Sequence, residues 1–419
     1  MVVQQRASWR SPGAGRSGSG RPQGTGSSGG AAPSRSPAAL ALVLGVPAML
    51  VALVVSTVAT GAASPGVLGD AGALVRWGLP VVRGTGDLAV SVVLGTLLLM
   101  AFALVPDTAA WRTAARLAAG ASVAWVLAAV VQPVLSFADI AGTPLTAPDL
   151  GSQIAYFLTE VTPGQVLLAS AVLAVLAGTV VALGITSPTG AGVAALLVAA
   201  SLVPIALGSH GSAEGGHHTA VSGWWLHVLG VGAWAGGLAA LAVVGPQLGD
   251  RLAVVARRYS AMALGAFVLV VLSGAANGWV QVGATASGLL SPYGALLGVK
   301  TAATVALGAA GWAHRRHALA ALEVRGPGRG ARGPFWRLVT GEVLLMAAVI
   351  GVAVALVRTG PPPSAAGDGP RTLAAQLTND VVPPLPATLP RLLLQPAPDL
   401  LWLVVAGALV VAYAAGLQR

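Results

Sequence analysis

Long apolar runs, separated by short polar or Pro- and Gly-rich intervals, dominate the chain. A helix that crosses a bilayer needs roughly 20 mostly apolar residues. By that measure the pattern predicts ten spans, at about 38–60, 88–106, 114–136, 165–184, 191–208, 222–244, 259–281, 293–313, 338–358 and 399–417. The expected fold is therefore all-α, a polytopic transmembrane helical bundle. The interval Ser187-Pro188-Thr189-Gly190 reads as a tight helical hairpin between the fourth and fifth spans. Residues 137–164 contain the semi-apolar stretch Leu150–Leu158, which is expected to lie on the membrane surface.

Polar intervals divide the chain into an N-terminal tail (1–37), a five-helix membrane region (38–208), a four-helix core (209–358), a Pro-rich linker (359–398) and a final helix (399–419). The tail is low in complexity, rich in Gly, Ser and Arg, and expected to be disordered. The apolar run that follows it is longer than the hydrophobic region of a signal peptide.

Composition agrees with the pattern. Of 419 residues, 55% are hydrophobic and 9% charged, too few charges for a soluble surface of this size. The net charge of +10 would suggest nucleic acid in a soluble protein, but its distribution argues otherwise. With the N-terminus inside and ten alternating spans, most arginines fall in cytoplasmic intervals, notably the basic interval 314–337. Most acids, including Asp70, Asp87, Asp139, Asp149 and Glu160, fall outside. This asymmetry predicts a multi-pass plasma-membrane protein with both termini cytoplasmic, in contact with lipid and not with nucleic acid.

Candidate chemistry rests on histidine, because the chain has no cysteine. Four of its six histidines, His210, His217, His218 and His227, cluster around the start of the sixth span, at the expected outer face. Glycines separate the first three, so the segment has the freedom to bring several imidazoles to one ion, and neutral imidazole suits copper or zinc. A solvated polar loop is the competing reading of those three. His227 falls within an apolar span, where ionisable groups are expensive and usually functional. Its face of the helix also carries Trp224, Val231 and Trp234, and the Gly232–Gly236 pair permits close approach of another helix.

Lys300, Glu342, Asn277 and Gln281 are further polar residues at membrane depth. An ion pair between Lys300 and Glu342 would lower the cost of both, although the predicted boundaries put them at different depths. His314 and His317 sit beside Arg315 and Arg316 and read as part of the cytoplasmic charge signal. The methionines form no paired motif and read as packing residues. No nucleotide-binding or hydrolase motif occurs, so the chain does not read as an enzyme, and transport would need a gradient or handover from a partner.

The stretch 217–358 resembles the copper resistance D (CopD) family. The resemblance is carried by Trp225-Leu226-His227 through Leu238, Arg257-Arg258-Tyr259-Ser260, Ser273-Gly274 with Asn277, Tyr293-Gly294-Ala295-Leu296-Leu297-Gly298-Val299-Lys300, and Glu342. It implies copper passage across the cytoplasmic membrane, often beside a periplasmic copper-binding partner, with His227 as a ligand and Lys300 and Glu342 as structural or gating residues. The final segment, Pro398-Asp399-Leu400-Leu401-Trp402 and its span, resembles the opening helix of the cytochrome c oxidase assembly protein CtaG, a fusion that implies an actinobacterial source. That likeness leaves open delivery of copper to cytochrome c oxidase. A membrane cytochrome with paired histidines on haem is a further alternative, and it requires two histidines at one depth on facing helices.

Overall fold

The computed structural model describes residues 37–65, 69–208, 217–282, 286–319 and 329–360, and the described residues are helical almost throughout. The helices are α1 (Pro37–Ala59), α2 (Ala73–Phe102), α3 (Ala109–Ala141), α4 (Leu150–Glu160), α5 (Thr162–Ala182), α6 (Pro188–Ser201), α7 (Val203–Gly208), α8 (His217–Val231), α9 (Gly237–Val244), α10 (Leu252–Val282), α11 (Ala286–Leu289), α12 (Pro292–Ala313) and α13 (Arg329–Thr359). Two π-helical turns interrupt the pattern. Gly232–Gly236 joins α8 to α9, and His314–Leu319 continues α12.

Eight helices among the described residues are long and apolar enough to cross a membrane, and the apolar part of α1, Val43–Ala59, is a shorter ninth. Each of the first nine predicted spans falls on helix, the fifth on the pair α6 and α7 and the sixth on α8, the π-helical turn and α9; the tenth, 399–417, lies outside the described residues, as do the N-terminal tail and the Pro-rich linker. The hairpin forms as expected. Ser187 caps α6 by accepting a hydrogen bond from Gly190 N at 3.0 Å, with Pro188 at the first helical position. The stretch 150–158 forms the short helix α4, whose Phe157 is buried 5.5 Å from the ring of Phe137.

One boundary differs in a way that matters. The second span was expected from residue 88, but α2 begins at Ala73. Arg76, Arg83 and Asp87 interrupt the apolar run, yet they lie inside the helix rather than in an outer loop. The fold meets their cost with neighbours. Arg83 and Asp87 are one turn apart on α2 and act on each other electrostatically, and Arg83 Nη2 lies 3.5 Å from Ser136 Oγ on α3. Beside them, Arg358 of α13 grips Asp139 of α3 through two hydrogen bonds, Nη2 to Oδ1 at 3.0 Å and Nη1 to Oδ2 at 3.2 Å. Its Nε donates to the Ala62 carbonyl at 2.8 Å, so one guanidinium ties together the ends of α1, α3 and α13.

Small residues set the helix crossings. A Cβ on Gly236 would fall 1.7 Å from the Ser91 carbonyl oxygen, and one on Gly95 would fall 2.0 Å from Gly237 N. The expected close approach at Gly232–Gly236 is therefore made by α2. A second crossing joins α1 and α13, where a Cβ on Gly351 would lie 2.2 Å from the Met49 carbonyl oxygen. Lipid supplies no hydrophobic drive between helices, so such close backbone packing carries much of the association. Because α2 meets both α3 and the α8–α9 pair while α1 lies along α13, helices from the two ends of the chain interleave. The largest buried cluster includes Leu97, Met100, Trp111, Leu238 and Leu241.

Candidate functional site

The antiparallel pair α8 and α10 builds the site. Contacts along its seam recur at alternating steps of four and three from α8 through the π-helical turn to the start of α9: Gly223 against Asn277, His227 against Ser273 and Gly274, Gly230 against Val270, Trp234 against Phe267, and Gly237 against Tyr259 and Met262. That spacing is the 3.5-residue repeat of a coiled-coil seam. Glycines at every seventh position let the helices close, and the two large side chains between them, His227 and Trp234, fill the remaining space. Trp234 meets Phe267 edge-on at 5.1 Å.

His227 is half-buried, and its Nδ1 lies 3.1 Å from Ser273 Oγ. A Cβ on Gly274 would come within 3.3 Å of the ring carbon Cε1, so the glycine makes room for the imidazole. One turn along α10, the Asn277 amide fits the notch at Gly223, where an added Cβ would lie 3.1 Å from Oδ1. Asn277 therefore belongs to the same seam, one turn from the His227 level; Gln281 follows a turn later near the end of α10. Lys300, on α12, is close enough for its charge to act on the His227 ring. Among the described residues its ammonium has no hydrogen-bond or ion-pair partner.

Glu342 is not paired with Lys300. Its Oε1 lies 3.3 Å from Nδ1 of His314, and the two residues are only 6% and 9% exposed. The π-helical turn after α12 carries His314 into the bundle, where Phe335 packs edge-on against its ring at 4.7 Å. His314 is thus a buried partner of Glu342 rather than part of a basic loop. The Trp225 indole donates to the Ala199 carbonyl at 2.9 Å and so joins α8 to α6.

His210 lies outside the described residues. His217 and His218 open α8, so they do not belong to a free loop. A helical rise of 1.5 Å per residue separates them from His227 by roughly 15 Å along the axis. The described residues contain no group of three or more His, Cys, Asp or Glu side chains arranged to hold a metal. A haem pairing between His227 and His314 also fails on depth. His227 is roughly 15 Å along α8, whereas His314 is roughly 33 Å along α12, and its Nδ1 faces Glu342.

Three features of the site escaped the sequence reading: Ser273 as the partner of His227, the His314–Glu342 pair, and the Arg83–Asp87 pair. The i, i+4 spacing of Arg83 and Asp87 was visible. The other two pairings join residues 46 and 28 positions apart and carry no local signature.

Residues 253–356 match the family described as copper resistance protein D, and residues 70–221 match the N-terminal domain of copper resistance protein D-like proteins. The two matches follow in order and take in α2 to α7, the start of α8, and α10 to most of α13. The chain belongs to the copper resistance D family, whose members are multi-helix membrane proteins implicated in copper resistance and uptake. No family match supports the CtaG-like reading of the last helix. No curated protein and no solved structure matches the chain.

Proposed function

We propose that this protein moves copper ions across the cytoplasmic membrane, taking them up at the end of the bundle where α8 begins. The observation that carries this reading is His227, an imidazole inside a membrane span whose Nδ1 lies 3.1 Å from Ser273 Oγ and which also interacts with the Val270 backbone, both on α10. Copper is the substrate here, and its passing ligand needs an open position rather than a closed cage. His210, His217 and His218 act first, at the entrance. The distance along α8 then favours handover to His227 over capture of one ion by all four. The excess of arginine in the expected cytoplasmic intervals supports an orientation with both termini inside. A periplasmic copper-binding protein is the natural donor.

Cells carrying His227→Ala in place of the wild type test the proposal. Copper-dependent accumulation is expected to be abolished while the protein remains in the membrane at normal abundance. Unchanged cellular copper would overturn the assignment. Metal analysis of purified wild type beside His227→Ala adds a direct reading of binding.

A further inference from the structure

The hydrogen bonds around Ser273 determine more about His227 than a single contact suggests. A serine hydroxyl has one proton to give and lone pairs to receive. Ser273 Oγ lies 2.6 Å from the Leu269 carbonyl oxygen, one turn back on α10, and 3.3 Å from the Val270 carbonyl oxygen. Two oxygens at the shorter distance repel unless a proton lies between them, and this back-bond to the i−4 carbonyl is a common habit of helical serine. The hydroxyl proton is therefore committed to Leu269.

His227 Nδ1 at 3.1 Å then faces an acceptor, and the contact is a hydrogen bond only if Nδ1 carries the proton. In a neutral imidazole the other nitrogen must then hold the lone pair. We propose that Ser273 is a positioning residue that fixes His227 as its Nδ1-protonated tautomer and leaves Nε2 as the atom that receives the metal. The proposal rests on the copper reading of His227 and gives it an atom. The free imidazole normally favours a proton on Nε2, which would blunt that nitrogen as a ligand. Gly274 completes the device, because its missing side chain lets the ring lie close against α10.

The test reads the tautomer without metal. Full-length protein, labelled with 15N-histidine and held in lipid nanodiscs at a pH where the ring is neutral, is compared by NMR with a His227→Asn sample that identifies the His227 signals. Wild type and Ser273→Thr, which keeps the hydroxyl, are expected to show Nδ1–H. Ser273→Ala is expected to shift the ring toward Nε2–H and to weaken copper(I) binding by about 10- to 100-fold, the usual cost of losing such a supporting group. An Nε2–H signal in wild type, or an unchanged tautomer in Ser273→Ala, would overturn the proposal. Because the ring signal needs no copper, an intact tautomer in a protein that binds no copper would refute the transport reading and leave the positioning role standing.

Discussion

His227 and His314 are held in opposite ways. His227 sets its ring against a neutral hydroxyl and the Val270 backbone of α10 on a half-buried seam. His314 is buried, faces a carboxylate, and has an aromatic ring against its edge. A carboxylate commits an imidazole electrostatically, whereas a serine whose proton is already spent only orients it. The same residue type thus serves as a fastener at one depth and, in the function we propose, as a copper ligand at another.

The most severe way to break this comparison is to exchange the losses. His227→Ala is expected to remove copper accumulation with little change in thermal stability. His314→Ala is expected to keep copper accumulation and melt earlier in detergent. If His314→Ala instead abolished uptake at normal abundance, the two roles would have to be redrawn.

Removal of the carboxylate sharpens the same point. Glu342→Ala leaves a buried imidazole without its partner, so unfolding should become easier by about 3 kcal/mol, read from detergent denaturation. A smaller gain is expected on the other side. Lys300→Met deletes a positive charge that acts on the His227 ring, and copper(I) affinity should rise, because a like charge no longer opposes the arriving cation. Lys300→Arg keeps the charge and should leave affinity near wild type. The smallest effect belongs to Gly274→Ala. Its Cβ would sit 3.3 Å from the ring, so His227 must yield by a few tenths of an ångström. Copper affinity is expected to fall by about threefold, under 1 kcal/mol, as measured by competition with a copper(I) chelator.

The spans were legible because a bilayer imposes a length on every crossing helix, and the apolar runs display that length directly. The exception, the start of α2, shows where this logic fails. Hydropathy scores each residue alone, and Arg83 and Asp87 score as loop even though they answer one another one turn apart. The position of His227 was also legible, since one ionisable residue in an apolar run stands out. Its partner was not. Serine is unremarkable in a membrane helix, and Ser273 gains meaning only from the antiparallel register that brings it beside His227. Glu342 was recognised as a polar residue at membrane depth, but its partner was hidden by the π-helical turn. That turn carries His314 out of the apparent loop and into the bundle.

The seat of α1 along α13 has a consequence for how the protein is made. Met49 lies against Gly351, and Thr60 Oγ1 meets Thr359 Oγ1 at 3.2 Å, so the first helix is completed by the last one described. Roughly 270 residues separate the two helices, and at about 5–20 residues per second the ribosome needs tens of seconds to bridge them. Throughout that interval α1 sits in the bilayer with the groove-facing side of Met49 and Leu53 turned toward lipid or toward whatever insertion factor shelters it. The contact between α1 and α13 therefore closes late, after the helices between them have been made, and truncated chains that end before Gly351 should be degraded rather than accumulate.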